Sequence, residues 1–144
     1  RLALARDLGA SDVLSARAGD VVAEVRALTE GRGADVAFEA VGLEPTVRTA
    51  VGAVRKGGTV TLIGNLAKDV SLPLQSVVTR QIRLQGSCAS SGEYPECLEL
   101  IASGKVDVAR FISATGSLEE AASWFERLHR RERGLMKVVL RPNG

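Results

Sequence analysis

The sequence predicts an α/β fold built on a parallel sheet, and three observations lead to that prediction. Patterns typical of helices and of strands alternate along the 144 residues, as βαβ units require. The chain is 45% hydrophobic and only 3% aromatic, so its core consists mainly of aliphatic side chains, which suits a sheet covered by helices. Two apolar stretches, residues 33–42 and 57–65, are bounded by glycines and are predicted to be buried strands.

The other elements are predicted from apolar periodicity and from helix start and stop signals. A first helix ends near Gly9, and Asp20 caps a second helix that runs to about Thr29. Alternating apolar and polar residues over 82–88 indicate an edge strand, and Cys97 is expected in the core. Further helices are predicted over residues 44–56, 74–79, 94–103 and 117–130, and further strands over residues 12–14, 111–115 and 135–140.

The carboxyl ends of the two glycine-bounded strands predict a binding crevice. Ligands bind outside the carboxyl ends of strands in open α/β sheets, and a glycine there lets a ligand approach the backbone closely. Glu39 is expected to accept hydrogen bonds from loop amides rather than to act as an acid or base, because no partner for it is visible. Asn65 either tolerates a turn conformation or contacts the ligand. The residues predicted to line the crevice are Ala40, Val41, Gly42, Ile63, Gly64 and Asn65.

Composition and charge narrow the possible functions. The net charge of +2 is too small to indicate a nucleic-acid surface, and neither a membrane-spanning run nor a signal peptide is visible. Cys88 and Cys97 form no disulfide framework, so a cytoplasmic location is expected. With His129 they also lack the spacing of a zinc site. The chain opens inside a helical pattern without a methionine, and we therefore expect a fragment.

Four segments then indicate a family. They are residues 1–10 (RLALARDLGA), 33–42 (GADVAFEAVG), 57–64 (GGTVTLIG) and 134–140 (GLMKVVL). In order and spacing they resemble the zinc-type, medium-chain alcohol and polyol dehydrogenases, and residues 72–92 look most like sorbitol and related polyol dehydrogenases.

The resemblance implies a partial Rossmann-type, doubly wound parallel sheet that lacks its first two strands. Residues 1–108 would form part of an NAD(P)-binding domain. Residues 109–144, a strand–helix–strand segment, would pack on a catalytic domain outside this chain. The Gly-rich turn G-x-G-x-x-G and the acidic residue that binds the ribose are both absent, so the choice between NAD and NADP stays open.

The implied reaction is hydride transfer between a secondary alcohol or polyol and the nicotinamide of NAD or NADP. Zinc would be bound by residues outside this chain, and no catalytic or metal-binding residue is expected within it. The family also implies a homo-oligomer formed through the edge strand 82–88. Two alternatives remain: a zinc-free quinone reductase of the same superfamily, and a non-enzymatic α/β module that binds a small molecule or a partner protein.

The resemblance also implies roles for individual residues. Ala40, Val41 and Gly42 would line the adenosine and its ribose, which Arg1 would also reach, and Lys137 would approach the pyrophosphate. Ile63, Gly64 and Asn65 would lie along the nicotinamide ribose. The carbonyls of Ile63 and Ser87 and the amide of Ala89 would bind the carboxamide, and Cys88 would line the same site.

Overall fold

The computed structural model describes residues 1–142 and shows two compact units. The first unit comprises Arg1–Ala89, and the second begins at Ser90. Each unit contains helices and a parallel sheet, which confirms the predicted fold class. Across the described residues, no helix has both the length and the apolar character needed to cross a membrane.

The first unit consists of four helices and a three-stranded sheet. Strand β2 lies between β1 and β3, and both pairs are parallel, so every connection crosses over the sheet. The helices are α1 (Leu2–Asp7), α2 (Val21–Leu28), α3 (Glu44–Ala53) and α4 (Leu74–Thr79), and the strands are β1 (Ala34–Glu39), β2 (Val54–Leu62) and β3 (Arg83–Gly86).

The core of this unit lies between α3 and the sheet. Val51 of α3, Val54 and Val60 of β2, and Ile82 before β3 form one buried cluster. Burying a side chain of this size contributes about 1.5–3 kcal/mol relative to leaving it exposed. Asp20 caps α2 as predicted, because its carboxylate accepts the amide hydrogen bonds of two first-turn residues.

Two arginines bind the carboxyl end of α3. The Arg80 guanidinium donates to the Val51 carbonyl at 3.1 Å and to the Val54 carbonyl, and Arg26 donates to the Gly52 carbonyl at 3.5 Å. Burial lowers the pKa of Arg80, and the nearby charge of Arg26 lowers it further. These contacts satisfy carbonyls that a helix end leaves without an intrahelical partner and favour the negative end of the helix dipole.

Three predictions for this unit are wrong. Residues 12–14 form no strand, because a strand needs a hydrogen-bonded neighbour and the described sheet offers none there. The third helix stops at Ala53, and residues 55 and 56 belong to β2 instead. Strand β1 is not buried on both faces: Val36 and Phe38, which lie on the same face of the strand, are 48% and 72% exposed, so that face is left largely uncovered.

The second unit is a strand–helix–strand preceded by a helix. Strands β4 and β5 pair in parallel, so the segment between them is a crossover, as the sequence predicted. Arg127 lies over the Trp124 ring, 4.1 Å from its centroid, a cation–π geometry. The elements are α5 (Tyr94–Ala102), a short 3₁₀ helix (Ala109–Phe111), β4 (Ile112–Ser117), α6 (Ala121–His129) and β5 (Lys137–Arg141).

Two further predictions fail in the second unit. Cys97 is exposed rather than in the core, because the apolar face of α5 to which it belongs is itself exposed. The predicted helix at residue 117 begins later, at Ala121, since Ser117 ends β4. One contact of a capping-box type still forms here: the Ser117 amide donates to the Glu120 carboxylate at 2.9 Å.

Candidate functional site

The turns that follow β1 and β2 touch each other backbone to backbone. A Cβ on Gly42 would lie within 3.0 Å of Asn65 and Gly64 backbone atoms, and one on Gly64 would lie equally close to Val41 and Gly42. Gly42 also has a φ of +79°, in the left-handed region that side chains disfavour. Only glycine fits at both positions without moving the backbone, so the close contact explains why residues 42 and 64 are both glycine.

Backbone hydrogen bonds join the same two turns. The second turn donates four times to the first, and this places the two predicted halves of the crevice side by side. The bonds run from Ile63 N and Gly64 N to the Glu39 carbonyl at 2.8 and 3.0 Å, from Leu66 N to the Val41 carbonyl at 3.3 Å, and from Ala67 N to the Gly42 carbonyl at 2.9 Å. Leu66 and Ala67 were not identified from the sequence, because they contribute amides that any residue type has.

Glu39 is a buried carboxylate beneath the first turn, with only 3% of its surface exposed. Its Oε1 accepts from the Val41 amide, and both of its oxygens accept from the Gly42 amide, all at 2.9 Å. Burial raises the pKa of Glu39, but hydrogen bonds from Gly42, the Thr46 hydroxyl and Val41 outweigh that effect and leave the pKa below its ordinary value. Glu39 therefore accepts loop amides, as the sequence analysis expected.

The end of β3 brings a third segment to the same edge of the sheet. The Ser87 amide donates to the Leu62 carbonyl at 2.9 Å, so Ser87 lies beside Ile63 in register. Ser87, Cys88 and Ala89 are exposed. Ala89 has a φ of +54°, an unfavourable conformation for alanine that often occurs at functional sites.

Several backbone groups at this edge of the described sheet take no part in the hydrogen bonds of the turns and loops, among them the amides of Asn65, Cys88 and Ala89. Among the residues that the structure describes, the carbonyls of Ile63 and Ser87 and the amide of Ala89 take no part in the hydrogen bonds of the turns and loops. This set offers two acceptors and one donor. A primary carboxamide has the complementary set, since its NH₂ donates twice and its oxygen accepts.

The remaining predicted site residues lie away from these turns in the sequence. Arg1 precedes α1 and is exposed. Lys137 begins β5 in the second unit and is also exposed. Their contacts with a cofactor stay predictions. Within residues 1–142, no three His, Cys, Asp or Glu side chains are placed to bind one metal ion.

Comparison with known proteins agrees with this geometry. Residues 1–103 match the zinc-binding dehydrogenase family. The chain is 29% identical over 144 residues to sorbitol dehydrogenase from Bacillus subtilis, and the alignment covers 99% of this chain and 41% of that protein. It is 37% identical over 130 residues to L-idonate 5-dehydrogenase from Vitis vinifera, and the alignment covers 84% of this chain and 36% of that protein.

A solved structure shows the same fold. It is a zinc-binding dehydrogenase from Sinorhizobium meliloti bound to NADP, with a TM-score of 0.82 and 28% identity over 98% of this chain and 42% of that one. The parallel α/β architecture and the glycine-lined strand ends are those of a nucleotide-binding dehydrogenase domain. The chain belongs to the zinc-binding dehydrogenase family, and it spans about two fifths of the length of these relatives.

Proposed function

We propose that this chain is the cofactor-binding part of an NAD(P)-dependent oxidoreductase that transfers hydride between a secondary alcohol or polyol and the nicotinamide. The observation that carries the proposal is that the carbonyls of Ile63 and Ser87 and the amide of Ala89, at the ends of β2 and β3, are among the described backbone groups that take no part in the hydrogen bonds of the turns. They complement a carboxamide, and contacts of this kind orient the ring that gives or takes the hydride.

Each predicted site residue of the first unit has a place in this proposal. The turn after β1 (Ala40, Val41 and Gly42) faces the adenosine ribose, and the turn after β2 (Ile63, Gly64 and Asn65) faces the nicotinamide ribose. Ser87, Cys88 and Ala89 border the carboxamide, and Arg1 reaches the adenosine ribose. Residues 1–108 would belong to the cofactor domain, and residues 109–144 would pack on the catalytic domain.

Zinc enters the proposal through residues outside this chain. When bound, zinc acts as a Lewis acid on the alcohol oxygen. The relatives' names supply the substrate class, because they include sorbitol and L-idonate dehydrogenases. We propose a cytoplasmic enzyme that acts on a small polyol and requires neither nucleic acid nor membrane.

A cofactor analogue tests the carboxamide contacts directly. Acetylpyridine adenine dinucleotide replaces the carboxamide NH₂ by a methyl group, so two carbonyl acceptors lose their donors. With the natural gene product that carries this sequence, we expect its reduced form to bind about tenfold more weakly than NADH or NADPH, whichever is preferred. Equal affinity for the analogue would contradict the assignment of the three backbone groups, and absence of binding by either natural cofactor would contradict the function itself.

We also propose that β3 pairs with a second copy of the chain. The Ser87 amide points to β2. Because the amides of successive residues in a strand point to opposite edges, those of Leu84 and Gly86 point to the open edge of β3. Gly86→Pro removes one such amide and should lower the mass measured by light scattering, whereas Gly86→Ala keeps it and should not. An unchanged mass for Gly86→Pro would exclude this edge as the interface.

A further inference from the structure

Glu39 is the residue through which the two turns of the crevice are connected. Its carbonyl accepts from Ile63 N and Gly64 N in the second turn. Its carboxylate accepts from Val41 N and Gly42 N in the first turn. A single residue at the end of β1 therefore binds the backbone of both segments that line the crevice.

The chemistry of this carboxylate is unusual for a buried group. Among the described residues, Glu39 is the one buried charged side chain. None of the ion pairs found in this part of the chain includes it. A buried charge without a cation is costly unless hydrogen bonds compensate for it. Two amides of one tight turn and the Thr46 hydroxyl provide that compensation here, so stabilisation of the charge depends on the conformation of the turn.

The turn that Glu39 holds has little freedom. Gly42 adopts a positive φ, and its backbone packs directly against that of Gly64 and Asn65. If the Val41 and Gly42 amides lost their acceptor, they would form hydrogen bonds with water or with another acceptor. The first turn would then move away from the second. The floor of the crevice would then lose its shape without any change in a residue that faces the cofactor.

We propose that Glu39 is a positioning residue for the nicotinamide cofactor, holding the Val41–Gly42 turn against the Gly64–Asn65 turn. This inference rests on the proposed function and adds to it a residue that does not itself touch the cofactor. It is a role in binding rather than in acid–base chemistry, because the hydrogen bonds at its carboxylate come from the amides of its own loop and from the Thr46 hydroxyl in the first turn of α3.

The test compares Glu39→Gln with Glu44→Gln in the natural gene product. Glu39→Gln keeps the size of the side chain but places an NH₂ donor against the Gly42 amide. Glu44→Gln removes an exposed carboxylate that pairs with Arg48 and leaves both turns intact. The first readout is hydrogen exchange at the Val41 and Gly42 amides, the second is the dissociation constant for NADH or NADPH by fluorescence, and the third is the KM for each substrate.

For Glu39→Gln we expect faster exchange at the two amides and cofactor affinity weaker by about tenfold. The KM for the cofactor should rise while the KM for the alcohol stays unchanged, and Glu44→Gln should match the wild type throughout. If Glu39→Gln does not fold, Glu39→Asp replaces it, since its shorter side chain keeps the charge but withdraws from the amides. The same directions of change are expected.

Two results would overturn this role. One is wild-type cofactor affinity in a folded Glu39 variant, even if its stability falls, because that would make the residue structural only. The other is an equal rise in KM for cofactor and alcohol, because that would indicate a general loss of structure. Failure of the wild type to bind either cofactor would instead overturn the proposed function, and the exchange rates would still report whether Glu39 holds the turn.

Discussion

Replacement of Gly64 by alanine perturbs the contact on which the crevice depends. The added Cβ would lie within 3.0 Å of the backbone of Val41 and Gly42. Backbone atoms cannot rotate away as a flexible side chain can, so the two turns must separate. The separation would stretch the hydrogen bonds from Leu66 N and Ala67 N to the first turn, at 3.3 and 2.9 Å.

The cost follows from these two effects. Overpacking at a closed contact costs about 1–3 kcal/mol, and weakening two backbone hydrogen bonds adds about 0.5–1.5 kcal/mol for each bond. We therefore expect Gly64→Ala to lower the free energy of unfolding by about 2–6 kcal/mol. The matched control is Gly86→Ala, because a Cβ at Gly86 meets nothing within 4 Å and should change stability by less than about 1 kcal/mol.

Urea-induced unfolding followed by circular dichroism measures the difference in the free energy of unfolding between the two variants. The comparison requires that the free energy depends on urea concentration with the same slope in both variants and in the wild type. Gly64→Ala should also weaken cofactor binding, because the turn that lines the nicotinamide ribose would move. A midpoint for Gly64→Ala equal to that of Gly86→Ala would refute the reasoning, since it would show that the turns can separate at no cost.

Three further predictions concern contacts of Arg80, Asp20 and Glu39 in the first unit. Arg80→Met keeps the aliphatic stem but leaves the Val51 and Val54 carbonyls without their donor. It should lower the free energy of unfolding, measured in urea, by about 1–3 kcal/mol, and a decrease below about 0.5 kcal/mol would contradict this role. Asp20→Ala removes the cap of α2 and should cost about 1 kcal/mol, whereas Asp20→Asn should cost less; equal losses would contradict the capping role. Because the pKa of Glu39 is depressed from 4.5, its ionised form adds stability above pH 4.5 that is lost as the pH falls through the lowered pKa. The stability difference between wild type and Glu39→Gln should therefore shrink below pH 4.5, and a difference independent of pH would contradict it.

The sequence was sufficient for elements whose signals are local. Helix α4 has the predicted bounds Leu74–Thr79, because Pro73 suits the start of a helix and short apolar spacing suits one face. Asp20 was identified as a cap because its side chain bonds to amides only two and three residues away. The order of helices and strands followed from the same local signals, and the parallel pairing followed from the long connections between strands.

Burial was the property that local patterns predicted least well. Apolar periodicity shows that a face is apolar, but it does not show which surface covers that face. Phe38 is 72% exposed and Cys97 is exposed, although the sequence predicted a buried position for both. Residues 12–14 illustrate the same difficulty for strands, since extended backbone becomes a strand only when a distant segment pairs with it.

The candidate site was predictable in its position but not in its connections. The rule that ligands bind at the carboxyl ends of parallel strands identified both glycine turns, and the structure brings them into contact. The bonds that join the turns run between backbone atoms, so no residue type reveals them. Arg80 was also missed, because an arginine that binds main-chain carbonyls resembles any surface arginine in the sequence.

The central claim, that the ends of β1, β2 and β3 bind a nicotinamide cofactor, is tested most directly by amide hydrogen exchange in the natural gene product. Exchange should be measured with and without saturating NADH and NADPH. We predict slower exchange in residues 40–42, 63–65 and 87–89 with the preferred cofactor, and the largest effect at the unpaired amide of Ala89. Unchanged exchange in all three segments, under conditions in which a cofactor is bound, would contradict the account.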